Sequence, residues 1–524
     1  MKKSSRFFGL GILVVFLLAL VLRTYRLPNL PISLSMDEVT FGYAAYAVME
    51  TGRDEQGKLL PLYFRGIGDY KPPIDVYLKI PFIYIFGLNE LSVRLPGAIL
   101  GSLSVLFVIL ILMTLKFKER YSLLAGFWLA ISGWHIFFSR AGFEAVTALF
   151  FLLAGLYFFM SWVRKGYALF FYLFILSFSL SVWSYHAERL FIPVLSIALI
   201  ALYKKEFKKL VTNKRDLLQI LLVLLFFLIP FLYISLFTLG VRARAEDLWI
   251  GKEIGLLDNP YGFFRLLVGQ YLSYFDPRFI FWKAIGMTPK GYTDLGIIYF
   301  IDVPIILAGI YSVIKSKNRD IKNIVYLFLF LGPLPGAVAR GDASPIRILQ
   351  WVPLFAILYA SGSEYFLEKR VPKIAILVYS LALVINASLF WSIYRNSFHK
   401  YYGDLWHYGY KEAANYVCEN HQRYNEIVFT DKYGIELPKV KTIPHYYVLF
   451  HCGISPKNYL DNDQILNIEF RQPQWRLDKE MENALLIGSP WDFPEDFDAK
   501  RIMKIIQFPG GKPAFYFVET NEKN

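Results

Sequence analysis

Residues 1–24 read MKKSSRFFGLGILVVFLLALVLRT, and this stretch decides the fold class. Three cations precede an uncharged apolar run from Phe7 to Leu22. A helix needs about 20 apolar residues to cross a bilayer core. The run is followed by TYRLP (24–28) rather than by a small-residue cleavage site, so we predict an uncleaved first membrane span.

The rest of the 524-residue chain repeats this pattern. It is 56% hydrophobic and only 19% charged, whereas soluble domains carry about 25% charged residues. We predict an α-helical polytopic membrane protein with about eleven transmembrane helices. The predicted spans are 7–23, 95–115, 121–138, 143–162, 168–183, 189–203, 217–237, 296–314, 323–339, 348–365 and 373–392. A further apolar stretch, 73–88, is interrupted by Lys79 and Pro81 and is assigned to the first outer loop.

Basic residues alternate between the gaps that separate the spans. The N-terminus and every second gap after it are basic, at 116–120, 164–165, 204–215, 315–322 and 369–373. The positive-inside rule therefore predicts a cytoplasmic N-terminus. An odd number of spans places the C-terminus outside, with two long outer loops at 24–94 and 238–295. This distribution of the +14 net charge excludes a nucleic-acid-binding stripe.

The composition changes after the last span, which predicts two domains, a transmembrane domain 1–392 and an extracytoplasmic soluble α/β domain 393–524. In the second domain we predict a helix at Tyr410–Tyr416 and strands at Glu426–Thr430, Tyr446–Phe450 and Pro513–Val518. Its two cysteines, Cys418 and Cys452, are the only ones in the chain. A disulfide persists outside the cell, and two free thiols are the alternative.

The first outer loop contains two candidate sites. Asp37 and Glu38 follow the first span, where a carboxylate can deprotonate a hydroxyl or bind a cation. The alternative is a helix N-terminus, which acidic residues stabilise. Lys71 precedes a rigid Pro-Pro pair and can hold a phosphate. The alternative for Lys71 is a side chain that snorkels from an interfacial loop.

The later outer gaps contribute further candidates. Arg140 and Glu144 are four residues apart, so we expect them to share one helix face, where they could also form a simple surface ion pair. His186 and Arg189 lie between two apolar spans, and a lone histidine is more often structural than a metal ligand. Two more arginines near the outer interface suit a lipid phosphate or anchor a headgroup, namely Arg278 and Arg347.

These segments, in this order, resemble a family 39 glycosyltransferase of the GT-C superfamily, related to protein O-mannosyltransferases and aminoarabinose transferases. The resemblance is carried by Met36-Asp37-Glu38 with Phe41-Gly42-Tyr43, Tyr70-Lys71-Pro72-Pro73, Ser92-Val93-Arg94-Leu95-Pro96, Ser139-Arg140 with Glu144, Tyr274-Phe275-Asp276-Pro277-Arg278-Phe279 and Ser344-Pro345-Ile346-Arg347.

The resemblance implies the GT-C fold and an outward-facing site. It implies a polyprenyl-phosphate-linked sugar as donor, inversion at the sugar carbon, and an acceptor hydroxyl on a lipid, glycan or protein. Asp37 matches the base of such enzymes, and Glu144 stands where the family usually has Asp. Lys71 matches the lysine that contacts the lipid phosphate. The expected partners are the donor, the acceptor and membrane lipid, without nucleic acid.

Two positions depart from the pattern of the family. A Glu that helps bind a metal usually precedes the lysine, and here Tyr70 stands there. The cofactor is therefore left open, with a divalent metal as the possibility that the resemblance raises. A His often precedes the arginine that matches Arg347, and here it is Ile346.

Two other classes of protein compete with a transferase. A transporter of lipid-linked saccharides typically has ionisable residues or broken helices at mid-membrane, often in two related halves. The sequence GPLPG (332–336) is the feature that favours it, but the candidate charges lie at the outer edge and no halves are evident. A non-catalytic scaffold leaves the carboxylates near the membrane unexplained.

Overall fold

The computed structural model describes the chain except for 1, 67–69, 212–213, 238–248, 253–257, 284–294, 370, 405, 435–439, 463–464, 495–496 and 521–524. Much of the predicted second outer loop therefore lies outside the described residues.

The chain divides into two compact units. The helical unit comprises Met1–Tyr25, Gly68–Ile74 and Gly97–Trp391. The mixed unit comprises Arg26–Ile67, Asp75–Pro96 and Ser392–Asn524, so the C-terminal residues group with most of the first loop.

Helices dominate the chain up to residue 392. They are α1 (Lys2–Thr24), α2 (Met36–Thr51), α3 (Ile74–Phe86), α4 (Glu90–Thr114), α5 (Glu119–Ile131), α6 (Gly133–Arg140), α7 (Glu144–Lys165), α8 (Ala168–Val182), α9 (Glu188–Leu202), α10 (Lys204–Val211), α11 (Lys214–Phe237), α12 (Pro260–Ser273), α13 (Val303–Lys315), α14 (Arg319–Leu331), α15 (Leu334–Ala337), α16 (Val352–Glu368) and α17 (Lys373–Ser392).

Each of the eleven predicted spans falls on one or two of these helices. Among the described residues, five helices are long and apolar enough to cross a membrane, or six if the bent pair α5 and α6 is one span. These helices support a multi-pass membrane protein. The count of eleven crossings stays a prediction.

Glycines set the closest helix contact in the helical unit. A Cβ on Gly309 of α13 would lie 2.0 Å from the carbonyl oxygen of Leu358, and a Cβ on Gly362 of α16 would lie 1.9 Å from that of Ile305. No other residue fits at either position, because the two backbones touch there. Small residues allow such close approach between membrane helices.

The break after α14 is closed by side chains from the segment that precedes α16. The Gln350 side-chain amide donates to the carbonyl of Gly332 at 2.7 Å, and the Trp351 indole donates to that of Phe328 at 2.8 Å. Both side chains are buried. The Gln350 amide thus satisfies the carbonyl of Gly332 at the break, whereas the carbonyl of Phe328 also accepts its helical bond from the Gly332 amide at 3.1 Å.

The prediction that Arg140 and Glu144 share one helix face is wrong. Arg140 is the last residue of α6 and Glu144 is the first residue of α7. Gly142 between them has a φ of 60°, in the left-handed region that glycine adopts readily. The chain turns there, and the spacing of four residues no longer places the two side chains on one face.

A five-stranded sheet forms the centre of the C-terminal part of the mixed unit, in the order β6-β3-β7-β9-β8. Strand β3 pairs in parallel with β6 and β7, and β9 pairs antiparallel with β7 and β8. The strands are β1 (Phe64–Arg65), β2 (Tyr70–Lys71), β3 (Glu426–Phe429), β4 (Lys432–Tyr433), β5 (Val440–Lys441), β6 (Ile468–Phe470), β7 (Ala484–Gly488), β8 (Ile502–Gln507) and β9 (Pro513–Glu519). The accompanying helices are α18 (Phe398–Tyr402), α19 (Tyr410–Asn420), α20 (Pro444–His451), α21 (Pro456–Asn462) and α22 (Trp475–Asp478).

The predicted strand Tyr446–Phe450 is wrong, because these residues lie in helix α20. Pro444 occupies the first turn, where the missing N–H costs nothing. A short apolar run does not distinguish a buried strand from a buried helix. The predicted helix at Tyr410 and the strands at Glu426 and Pro513 are present.

A disulfide joins Cys418 of α19 to Cys452, the residue that follows α20. The two helices pack against each other with Ala414 and Val448 in the buried core of the mixed unit. The bond therefore connects elements that also share a hydrophobic core.

Candidate active site

Glu38 is held at the start of α2 by local geometry and by a distant arginine. The Ser35 hydroxyl accepts a hydrogen bond from the Glu38 amide at 3.3 Å, and the Glu38 carboxylate accepts one from the Ser35 amide at 2.9 Å. This reciprocal pair is a capping box. The same carboxylate lies 2.7 Å from Nε of Arg94, and both side chains are fully buried. These contacts account for Glu38 as a structural residue.

Arg94 also binds the segment that enters α2. Its guanidinium donates to the carbonyls of Leu27 at 3.2 Å and Pro31 at 2.8 Å, and to that of Ser33. A buried guanidinium is stable only when its donors are paired. The path of the chain just before Asp37 is thus fixed by one arginine from α4.

Asp37 is partly exposed, and two residues from the C-terminal part of the mixed unit lie near it. Burial lowers the pKa of His407 to about 4, and the Asp37 carboxylate opposes that shift. The imidazole is therefore neutral near pH 7. Its Nδ1 is buried without a hydrogen-bond partner in the described part of the chain. Burial raises the pKa of Tyr447, and Asp37 is among the groups that raise it further.

Neither neighbour of Asp37 was predicted from the sequence. His407 lies 370 positions along the chain from Asp37, and its backbone is in the left-handed region with a φ of 50°. Its carbonyl accepts a hydrogen bond from the Ser33 hydroxyl at 3.3 Å. No spacing rule relates two segments so far apart.

A second acidic side chain, that of Glu55 in the first loop, is buried against α20 in the mixed unit. The Tyr446 hydroxyl donates to Oε1 of Glu55 at 2.7 Å, while Oε2 is buried without a partner among the described atoms. Burial raises the pKa of Glu55 from 4.5 to about 7. The sequence offers no signal for this residue, since it lies in a polar turn that reads as a surface loop.

In the helical unit, Tyr185 lies within electrostatic range of charged residues from three segments that the sequence places in outer gaps. Burial raises the pKa of this phenol, Glu144 raises it further, and Arg347 and Lys71 lower it. Lys71 and Glu144 are themselves buried, at 7% and 5% exposure. Three predicted candidates from sequence-distant segments therefore affect the pKa of one tyrosine that the prediction left out.

Two further side chains support this group, which we call the Tyr185 cluster (Lys71, Glu144, Tyr185, Tyr274 and Arg347). The Tyr274 hydroxyl accepts from the amide of Ser344 at 3.2 Å and is hydrogen-bonded by the Arg347 side chain. His186 Nε2 lies 2.9 Å from the carbonyl oxygen of Tyr70. His186 thus holds the backbone that presents Lys71.

The remaining arginine candidates have other contacts. Arg140 is fully buried and donates to the carbonyls of Leu22 at 3.0 Å and Tyr25 at 2.7 Å. Arg189 lies over the Phe231 ring at 5.4 Å. Arg278 is 73% exposed and forms an ion pair with Asp276 at 2.7 Å. The structure therefore does not add these three to the Tyr185 cluster.

The described residues do not fit a metal site. No group of three or more His, Cys, Asp and Glu side chains among them is arranged to hold an ion. The position before Lys71 is Tyr70, whose carbonyl is bonded to His186. We therefore derive no step through a metal.

The chain is similar to known proteins in sequence and in fold. The family of dolichyl-phosphate-mannose-protein mannosyltransferases matches residues 13–242. This match covers 230 of the 524 residues, so the chain is similar to that family over somewhat less than half of its length. The predicted resemblance is thus confirmed. No curated protein matches the chain significantly.

Two solved structures of one protein, ArnT, share the fold of almost the whole chain. ArnT from Cupriavidus metallidurans bound to undecaprenyl phosphate is 12% identical with a TM-score of 0.54, covering 99% of this chain and 98% of ArnT. The apo state of the same ArnT is 11% identical with a TM-score of 0.50, and the match covers 98% of this chain and 98% of ArnT. AglB from Archaeoglobus fulgidus, in complex with an inhibitory peptide and a dolichol-phosphate, is 13% identical with a TM-score of 0.48 over 80% of this chain and 59% of AglB.

Glu55 generates a prediction about pH. Its folded-state pKa of about 7 lies above the ordinary 4.5, so the bound proton stabilises the folded state. The bound proton makes its full contribution to the free energy of unfolding below about pH 4.5. That contribution, about 3 kcal/mol, is lost as the pH rises through 7. Glu55→Gln should therefore melt like the wild type at pH 4.5 and several degrees higher at pH 8.

The matched control is Glu50→Gln, an exposed carboxylate at the end of α2. It should leave the melting temperature unchanged at both pH values. An equal shift for Glu55→Gln at pH 4.5 and pH 8 would show that the carboxyl does not titrate in this range.

Proposed function

We propose that this protein is a membrane glycosyltransferase that moves a sugar from a polyprenyl-phosphate carrier to an acceptor hydroxyl. The observation that carries the proposal is the convergence of Lys71 and Arg347 on Tyr185 and Glu144. Two cations in a buried setting suit a phosphate that gains negative charge as its bond to the sugar breaks. The likeness to mannosyltransferases of lipid-linked donors supports the same substrate class.

The donor phosphate is assigned to the Tyr185 cluster. Arg347 offers a planar fork of donors, and Lys71 offers a point charge. Tyr274 is hydrogen-bonded to Arg347 and limits the orientations of that guanidinium. Electrostatic stabilisation by such fixed groups is strongest where water is excluded, which fits the burial of Lys71.

The acceptor is assigned to Asp37. The acceptor oxygen forms a bond to the anomeric carbon, and the bond from that carbon to the phosphate oxygen breaks with its electron pair on the lipid phosphate. Asp37 takes the proton of the attacking hydroxyl. A single displacement inverts the anomeric carbon. Glu38 positions Asp37 through the helix start, because its own carboxylate is paired with Arg94.

The alternative of a transporter rested on the broken helix at GPLPG (332–336). Gln350 donates to the carbonyl of Gly332 in that break, and Trp351 donates to the carbonyl of Phe328 in the helix that precedes it. Because packing accounts for the break, it gives no independent support to transport. We therefore keep the transferase as the single proposed function.

The orientation is part of the proposal, with the N-terminus in the cytoplasm and residues 393–524 outside the cell membrane. The alternating basic gaps support it. The Cys418–Cys452 disulfide supports it independently, since such bonds persist in oxidising compartments. The donor would then be used on the outer face.

Asp37→Asn tests the assigned base. Asn has the same shape and cannot accept the proton, so turnover should fall about a hundredfold or more at an unchanged melting temperature. The assay is sugar transfer from a polyprenyl-phosphate donor to a membrane-derived acceptor, with equal amounts of reconstituted protein.

Glu38→Gln is the matched comparison and should lower the melting temperature, because it leaves Arg94 buried without its partner. Near-normal turnover of Asp37→Asn would move the base to Glu144.

Lys71→Gln tests the phosphate site. The apparent KM for the lipid donor should rise about tenfold or more, because a buried cation is lost from the Tyr185 cluster. Arg278→Gln removes an exposed cation of the predicted outer side and should change the KM less than twofold. Gel filtration in detergent checks that both variants remain monodisperse. Equal effects of the two variants would argue for a general electrostatic role of the outer cations.

Reporter fusions test the orientation. Alkaline phosphatase fused to the C-terminus should be active, and the same enzyme fused after Lys209 should be inactive, because it folds only outside the cytoplasm. The reverse pattern would place the C-terminal residues inside and contradict the proposed outer face.

A further inference from the structure

A polar cavity of 520 Å³ lies at the basic ends of four helices of the helical unit, far in sequence from the Tyr185 cluster segments. Its cations come from the end of α4, the last turn of α7, the start of α10 and the start of α14. They are Lys116, Arg164, Lys204, Lys205 and Arg319. The basic gaps that predicted the topology thus converge in space.

The charges of the cavity do not cancel. Its five cations face two carboxylates, those of Glu206 and Asp320. Asp320 is already engaged, because it forms an ion pair with Arg164 at 3.3 Å and accepts a hydrogen bond from the Tyr203 hydroxyl at 3.0 Å. The excess of positive charge therefore remains for a ligand.

Helix dipoles account for only part of this charge. Cations stabilise helix C-termini, which accounts for Arg164 near the end of α7. Lys204 and Lys205 follow the C-terminus of α9, and Arg319 donates to the carbonyl of its last residue, Leu202, at 3.5 Å. The same three cations begin α10 and α14, where the partial positive charge of a helix N-terminus opposes them.

Helix α10 places the cavity at the level of lipid headgroups. Its Phe207 packs against Trp162 at 5.0 Å and Phe171 at 5.8 Å. The lysines of α10 are exposed. A short helix with an apolar anchor and a lysine-rich face lies along a membrane interface. A basic pocket between helices at that level suits an anionic headgroup.

We propose that this cavity binds the phosphate group of an anionic membrane phospholipid on the basic side of the membrane. The phosphate oxygens would be bound by Lys204, Lys205 and Arg319, while Arg164 and Asp320 form the wall. This site is separate from the sugar transfer proposed above and does not depend on it. A soluble phosphate offers the same chemistry, so the experiment compares the two sources.

Lys204→Gln/Lys205→Gln tests the site, with Lys208→Gln/Lys209→Gln as matched control. Both pairs lie on α10, both are exposed, and both changes remove two charges, but only the first pair lines the cavity. The readout is the affinity of the full-length protein for phosphatidylglycerol in mixed micelles, from the lipid-dependent rise in melting temperature. Phosphatidylcholine and inorganic phosphate serve as the other ligands.

We expect phosphatidylglycerol to stabilise the wild type and the control pair, and to bind roughly tenfold more weakly to the cavity pair, given the usual contribution of a lysine near an anionic surface. Phosphatidylcholine and inorganic phosphate should have little effect. Equal weakening in both pairs would overturn the proposal in favour of general surface charge. A response to inorganic phosphate alone would overturn the lipid as its source, and the absence of any phosphatidylglycerol effect would overturn the site.

Discussion

The buried ion pair between Arg94 and Glu38 is the constraint on which the placement of the proposed base depends. Both side chains have no exposure, so neither charge is solvated by water. Arg94 uses its remaining donors on carbonyls of residues 27–33, and Glu38 uses its second oxygen on the capping box. One arginine thereby fixes the approach to α2 and its first turn. Asp37 directly precedes Glu38, so the same contacts fix the backbone position of Asp37.

Arginines at the predicted outer edge divide into two groups according to their partners. Arg140 donates to the last carbonyls of α1, which have no helical partners of their own. Arg23 likewise donates to the carbonyls of Ala130 and Leu129 and contacts the ring of His135. Such guanidiniums tie helix ends together. Arg347 donates to the carbonyl of Arg340 at 3.1 Å and is also hydrogen-bonded to the phenol of Tyr274, which places it in the Tyr185 cluster.

The sequence predicts the helices, because the signals that mark them are local. Apolar runs mark the spans, and the position of Asp37, Lys71 and Arg347 in outer gaps marks the candidates. The partners of a candidate are not a local property. Arg140 and Arg347 have the same setting in the sequence, beside apolar spans, and only the fold shows that Arg347 also binds a tyrosine hydroxyl. The sequence did not predict Glu55 and His407, because the burial that shifts their pKa values depends on segments hundreds of residues away.

The grouping of the first loop with the C-terminal residues changes what the C-terminal part contributes. If residues 393–524 formed a domain of their own, the proposed base Asp37 would belong to the transmembrane domain alone. Here Tyr43 of α2 packs in the same hydrophobic core as Tyr447 and Phe450 of α20, and the Tyr43 hydroxyl donates to the carbonyl of Ile454 at 3.0 Å. His407 lies close enough to Asp37 for the carboxylate to affect the pKa of the imidazole. The C-terminal residues therefore form part of the environment of the proposed base, and their removal would expose the core on which α2 rests.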